Sequence, residues 1–338
     1  MANILITDPT LRDGNHAISH KLTTAQIAAY CEAADKARIP IVEVGHGNGL
    51  GASSLQVGIA STTDDDMLRT AKEHLLNAKL SVHVIPGFAT INKDLKRAVD
   101  LGVDVFRIGC HCSEADTTQQ HISFVRNTGR EVWGILMMSH MITPEGLRDE
   151  ALKMESYGAE AIVIMDSSGH FLPEDVTQRI GELVSRLTVP VGFHGHNNLG
   201  MAVANSVAAA NAGATIIDAT ARGFGAGAGN TQIEVLVPVL ERLGYETGID
   251  LYGVLDAADL AEREIMPVVP SIKGISIVSG MAGVFSGFAK HVDRVSAEYG
   301  LDPRDVFFAL GKRQVVAGQE DVIIEVALEL AAAKKERK

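Results

Sequence analysis

The segment Phe193-His194-Gly195-His196 places two imidazoles two residues apart with only a glycine between them. In a β-strand, residues i and i+2 share a face, so both rings can be aimed at one point. Two imidazoles and one carboxylate that leave further positions open suit a divalent catalytic metal. Asp13, within Thr10-Leu11-Arg12-Asp13-Gly14, is the available carboxylate. The same two rings could instead be a hydrogen-bonded pair in a polar rim. Cys110-His111-Cys112 competes as a ligand set, but alternation aims its thiols together and its imidazole away. No C-x-x-C completes a zinc site, so buried, inert cysteines are expected. The glycine-rich run 223–230 could cradle a phosphate through backbone N–H groups. It lacks a Walker lysine and the dinucleotide spacing, which favours a loop of small residues allowing close backbone approach. A Schiff-base aldolase needs a lysine on an inner strand position. Lys21, Lys36, Lys72, Lys96 and Lys153 all fall in expected helices or connections, so carbanion chemistry would have to rely on a metal.

Such side chains need elements that bring them together. Runs rich in β-branched residues recur at 3–8, 40–45, 80–87, 103–110, 131–139, 160–167, 189–196 and 215–220. Helical patterns lie between them, at 23–38, 64–77, 115–127, 144–157, 173–187 and 201–211. Thr23 or Thr24, and Thr143 before Pro144, supply capping signals; Gly102, Gly129, Gly158, Gly213 and Gly244 stand where helices should end. A strand–helix period of roughly 27 residues implies parallel βαβ units. Repeated over about 245 residues, this predicts an α/β fold, a (β/α)8 TIM barrel, over an open doubly wound sheet. Active sites of such barrels sit at the C-terminal strand ends. There the sequence offers Arg12, Asp13, His16, Glu43, His46, Cys110, His111, Cys112, Ser139 and His140. The sixth and seventh strands add Asp166, Ser167, Ser168, His170, His194 and His196. Seven of the 12 histidines thus fall at one rim, which points to a functional rim.

The alternation stops near residue 250. Helices are expected at 250–266, 291–299, 303–312 and 321–333, with a frayed basic tail at 334–338. The expected division is a catalytic barrel at 1–249 and a C-terminal helical domain at 250–338, packed on the barrel or on a partner or oligomer neighbour.

Composition excludes several classes. With 30 Lys+Arg against 42 Asp+Glu, the formal charge of −12 argues against nucleic acid or anionic membrane as partners. Among 338 residues, 3 cysteines make no disulfide framework. The start, Met-Ala-Asn-Ile-Leu-Ile-Thr-Asp, lacks a basic signal region, and no apolar run approaches the ~18 residues of a membrane span. A cytoplasmic globular protein is expected.

Thr10-Leu11-Arg12-Asp13-Gly14 together with His194-Gly195-His196 resembles the metal-dependent barrels that include isopropylmalate synthase and hydroxymethylglutaryl-CoA lyase. The continuation Asn15-His16-Ala17 is similar instead to the 4-hydroxy-2-oxovalerate aldolases. Further matches are His46-Gly47-Asn48-Gly49-Leu50, the stretches 111–116, 136–141 and 154–159, Gly225 to Asn230, and Gly318-Gln319-Glu320-Asp321. The resemblance covers essentially the full length. It implies a class II pyruvate aldolase that cleaves 4-hydroxy-2-oxo acids to pyruvate and an aldehyde. It implies that Asp13, His194 and His196 hold Mn2+, or another divalent metal such as Co2+ or Mg2+. Arg12 would stabilise the developing enolate, His16 would take the 4-hydroxyl proton, and Ser167 would help seat the carboxylate. An acylating acetaldehyde dehydrogenase that receives the aldehyde by channelling is the implied partner, within a homo- or hetero-oligomer.

Several positions depart from the family pattern. Phe285 stands where the family has a tyrosine beside the aldehyde-derived part, Asn48 replaces an aspartate, Gln56-Val57 replace Asn-Tyr, and His170 replaces a small residue. All are expected on the aldehyde or channel side, which points to preserved pyruvate chemistry with a shifted aldehyde partner. Two other classes are consistent with parts of the pattern. A Claisen-type acyl-CoA condensing enzyme would share the metal and Arg12 but not need His16, whereas a non-catalytic docking subunit would be expected to lose metal ligands.

Overall fold

The computed structural model describes residues 2–316 and 318–336. Strands β1 (Leu5–Leu11), β2 (Ile41–Val44), β3 (Lys79–Val84), β4 (Val105–His111), β5 (Glu131–Met137), β6 (Ala161–Asp166), β7 (Val191–Gly195) and β8 (Ile216–Asp218) close in sequence order into a parallel barrel. Closure pairs Leu5 with Ile216 and Thr7 with Asp218, so the first strand lies beside the eighth. The predicted barrel is therefore the observed one, with strand boundaries shifted by a few residues.

The surrounding helices are α1 (Gly14–Ala17), α2 (Thr24–Lys36), α3 (Asp64–His74), α4 (Lys96–Asp100), α5 (Gln119–Asn127), α6 (Pro144–Ser156), α7 (Pro173–Val184), α8 (Ala202–Asn211), α9 (Ile233–Arg242) and α10 (Leu251–Glu264). Local chemistry starts them where expected. Thr23 and Gln26 form a reciprocal capping box on α2, and Thr143 caps α6 ahead of Pro144. Val254, Ala257, Ala258 and Ala261 of α10 belong to the same apolar layer as the barrel helices.

Four further helices follow, α11 (Gly274–Ala282), α12 (Ala289–Tyr299), α13 (Pro303–Lys312) and α14 (Glu320–Glu336). They enclose a separate core around Phe288, Val292, Phe307, Leu310 and Ile323. Two expectations are corrected here. Ser279 and Gly280 sit inside α11, which has poor intrinsic propensity and packs against α13; tertiary contact, not local preference, sustains it. The basic tail is helical through Glu336, with the Lys334 ammonium donating to the Gly300 carbonyl at 2.7 Å; 337–338 lie outside the described residues. Among the described residues, no helix is long and apolar enough to cross a membrane.

The barrel interior is layered. Ile41, Val105, Trp133, Val163 and Ile216 form an apolar floor. Two residues further along their strands, and so one layer nearer the mouth, come the buried Glu43, Arg107 and Asp218. A register shift in β1 between Asp8 and Leu11 then turns the chain. Such irregularities re-aim side chains, and here Arg12 and Asp13 are carried to the mouth, their N–H groups both bonded to the Pro9 carbonyl.

Candidate active site

Asp13, His194 and His196 meet at the mouth, all buried, each with a potential ligand atom within 4.8 Å of the others. The two rings lie 5.1 Å apart between centroids. His194 Nδ1 donates to Asp218 at 2.9 Å, which leaves Nε2 as the ring nitrogen available to the cluster. A carboxylate behind a histidine is the usual way to fix the tautomer of a metal ligand. His196 Nδ1 is buried without a hydrogen-bond partner among the described residues. Buried polar atoms are rarely left so, and the donor set of two imidazoles and a carboxylate is one a divalent ion would satisfy. The residues fit a metal.

Asp13 is held from three sides. One oxygen accepts from Arg12 at 2.9 Å; the other accepts the Asn230 amide at 2.6 Å and the Ala226 N–H at 3.2 Å. Burial alone would raise the Asp13 carboxyl, but the Arg12 guanidinium and the imidazoles of His196, His16 and His194 hold it well below the usual carboxylate range. It is thus ionised at neutral pH, as a ligand must be. The glycine-rich loop finds its use here. A methyl group on Gly225 would overlap both Asp13 and Asn230, so the run is a close-approach loop that packs against the Asp13 carboxylate.

Arg12 donates through Nε to Glu43 at 2.6 Å and through Nη1 to Asp13. Asp8, the other carboxylate of the strand, bonds Thr10 and Tyr30 instead. Nη2 of Arg12 has no partner among the described residues. A guanidinium clamped on two sides with one N–H pair unused is set to receive an oxyanion.

His16 follows Asp13 on the short α1 and lines a cavity of about 830 Å3 between the barrel mouth and the C-terminal helices. Its ring lies over Gly47, where any Cβ would overlap it. Part of the ring opens on the cavity, yet the walls desolvate it enough to push its pKa down to about 4; Asp13 pulls the other way. The ring is neutral at pH 7, the form that accepts a proton. His20, unremarked in the sequence, and His46 stack behind it with centroids 3.6 Å apart.

Ser167 and Phe285 both line the cavity. The Ser167 hydroxyl accepts the Met138 N–H at 3.0 Å, leaving its own proton free to donate. Phe285 packs edge-on against Phe288 with centroids 5.7 Å apart. Asn48, Gln56 and Val57 share that wall. His170 does not: its Nδ1 donates to the Gly280 carbonyl at 2.7 Å, tying the β6 loop to α11. Its ring turns from the cavity to the Gly280 carbonyl at the end of α11, which also accepts the Gly283 N–H at 3.2 Å. The rim histidines therefore split. His140 bonds the Gly283 carbonyl at 2.9 Å and His111 turns to Ser113 and Met141. Cys110 and Cys112 are buried, and burial raises the Cys112 thiol to about 12, so both are inert. Asp166 receives the His170 and Phe171 N–H groups and shapes that loop.

Arg107, His83 and Asp218 escaped sequence reasoning. The available signal was a charge inside an apolar strand run, as in Val105-Phe106-Arg107-Ile108 and Ile216-Ile217-Asp218-Ala219. A buried charge demands a partner.

The HMGL-like family profile matches residues 3–261, and the DmpG-like communication domain profile matches residues 270–332. The chain is 65% identical over 328 residues to the 4-hydroxy-2-oxovalerate aldolase of Pectobacterium atrosepticum, spanning 97% of this chain and 96% of that one. It is 61% identical to the protein of that name from Spirochaeta aurantia, again over 97% of this chain and 96% of the relative. The barrel superposes on the carboxyl transferase domain of Rhizobium etli pyruvate carboxylase, solved with pyruvate and biocytin. The TM-score is 0.83, over 98% of this chain and 61% of that one. At 16% identity that likeness shows the fold alone. Barrel, buried ligand cluster and near-full-length relatives agree: the chain belongs to the 4-hydroxy-2-oxovalerate aldolase family.

Proposed function

We propose that this chain is a divalent-metal-dependent pyruvate aldolase, cleaving a 4-hydroxy-2-oxo acid of the 4-hydroxy-2-oxovalerate type to pyruvate and an aldehyde. The observation that carries the reading is the convergence of the Asp13, His194 and His196 ligand atoms beside an Arg12 Nη2 that has no partner. Asp13, His194 and His196 would hold Mn2+, with Co2+ or Mg2+ as alternatives, and the ion would act as Lewis acid toward the 2-oxo group. His16 takes the 4-hydroxyl proton. The C3–C4 bond then breaks, its electrons passing to the 2-oxo oxygen as the aldehyde carbonyl forms. Arg12 offers its free N–H groups to the resulting enolate oxygen; a proton from water in the cavity goes to C3 to complete pyruvate, and His16 returns its own proton to that water. The Ser167 hydroxyl donates to the substrate carboxylate.

The test is metal-dependent pyruvate release from 4-hydroxy-2-oxo acids of varied chain length, with His16→Ala compared. The substitution is expected to lower kcat about a hundredfold, the lower part of the range for a general base, because cavity water can partly replace it. Unchanged turnover would remove His16 from this role. A Claisen-type condensing activity would release free CoA instead; near-full-length relatives with the aldolase name speak against it.

Phe285 supports an altered aldehyde side. Phe285→Tyr supplies a hydroxyl in the cavity wall, and one hydrogen bond worth about 1 kcal/mol is about a fivefold change. Preference between the two C4 stereoisomers is expected to sharpen by that factor, read from initial rates on each. Equal rates in both forms of the protein would exclude the position. The communication-domain match at 270–332 supports an acylating acetaldehyde dehydrogenase as partner with aldehyde channelling between them, which co-purification from the native host addresses.

A further inference from the structure

The ion network beneath the mouth joins the two halves of the site through one side chain. Arg107 is fully buried on β4, across the barrel from β8 and separated from β2 only by β3. Its guanidinium spans the interior. Nη1 donates to Glu43 at 3.0 Å and Nη2 pairs with Asp218. The Asp218 oxygen that it pairs with also accepts His194 Nδ1 at 2.9 Å. The other Glu43 oxygen holds Arg12 Nε at 2.6 Å. Among the described residues Arg107 is the one side chain bonded to both carboxylates: each carries one residue of the mouth, and the guanidinium sets their separation. Below it, Trp133 offers its ring face 5.8 Å from the guanidinium carbon, so Arg107 has an apolar floor and no water to retreat into.

Stability does not account for this arrangement. Buried ion clusters are often no better than apolar residues of equal volume. This one leaves Arg107 Nε and one Asp218 oxygen unpartnered among the described residues. Three carboxylates, Glu43, Asp13 and Asp218, face two guanidiniums, a surplus of negative charge that suits a dication at the mouth. The fork geometry matters as well, because a planar guanidinium fixes two acceptors at once where an ammonium fixes a point.

We propose that Arg107 is a positioning residue that sets the placement of His194 and of Arg12 together, through Asp218 and Glu43. This rests on the aldolase reading of the mouth and extends it one layer inward. Arg107→Lys keeps the charge and removes the fork. It is expected to weaken Mn2+ binding to the apoprotein, followed by the EPR signal of the free ion, at least about tenfold, the usual cost of an outer-shell change. At saturating Mn2+ it is also expected to lower kcat at least about tenfold, because Arg12 is released as well. A change in one quantity alone, or in neither, overturns the proposal, as does a lowered Tm with both retained. If Arg107→Lys does not fold, the double-mutant cycle of Glu43→Gln with Asp218→Asn decides the matter. Among the described residues Arg107 is the one hydrogen-bond partner these carboxylates share, so their effects on kcat are expected to be non-additive by about fivefold or more; additive effects overturn the proposal. Failure of the unsubstituted protein to release pyruvate with any of Mn2+, Co2+ or Mg2+ would sink the aldolase reading itself, a result distinct from any behaviour of the variants.

Discussion

Asp13→Asn is expected to reduce pyruvate release on the order of a thousandfold, and chelation of the divalent ion from the unsubstituted protein to do the same. Lewis-acid stabilisation of the enolate is worth several kcal/mol, and each ~1.4 kcal/mol is a factor of ten in rate. The substitution preserves shape, so packing around β1 is undisturbed. What changes is charge and donor balance. Every neighbour of Asp13 donates to it: Arg12, the Asn230 amide and the Ala226 N–H. An amide in its place sets an N–H2 group against at least one of those donors and removes the anion that the dication requires. The two treatments differ in reversibility. Added Mn2+ restores the chelated protein but not the variant, whose Mn2+ affinity falls with its activity. Turnover within about tenfold of the parent would show that Asp13 is not a ligand, since loss of a whole ligand charge cannot cost so little at a buried site.

Arg12→Ala should be nearly as damaging, for two reasons that add. Loss of one oxyanion donor typically costs about a hundred- to a thousandfold in kcat. The guanidinium also neutralises Glu43 and Asp13, whose side chains are almost wholly inaccessible. Removing it leaves Glu43 to Arg107 alone and frees Asp13 to turn from its ligand geometry. Arg12→Lys separates the contributions. An ammonium restores charge near Glu43 or Asp13, but cannot bridge both and still present a free donor to the cavity. Arg12→Lys is therefore expected to recover stability and most Mn2+ affinity while kcat stays about a hundredfold low. Measuring thermal midpoint, Mn2+ binding and kcat on the same preparations checks this. Parental kcat in Arg12→Lys would show that charge alone suffices and that the unpartnered Nη2 is idle.

Much of this molecule was legible before its fold. The H-x-H pair was readable because strand alternation is local: residues 194 and 196 must share a face whatever surrounds them. The barrel was readable because βαβ units repeat and right-handed crossovers leave few ways to close them. Asp13 was readable as the remaining candidate ligand because, in a closed barrel, the first strand lies near the seventh. Chain-local chemistry likewise fixed the caps at Thr23 and Thr143 and the glycine helix ends.

Other features depended on three-dimensional neighbours. The seven rim histidines were expected to mark a functional rim; of them His194 and His196 join Asp13, with His16 beside them. His140 and His170 instead satisfy carbonyls at the end of α11, a helix that the sequence did not announce because its stability comes from packing. The shift of the His16 pKa to about 4 arises from desolvation by the cavity walls, which no linear pattern contains.

The sequence by itself determined the candidate ligand types, their face and the barrel that gathers them, since each follows from periodicity over a few residues. Only the tertiary structure decided which charges compensate one another. Arg107 meets Glu43 and Asp218 across 64 and 111 residues of chain. Such pairing is set by the diameter of the closed barrel and by its burial from bulk solvent, because a buried guanidinium must find carboxylates wherever the fold has placed them.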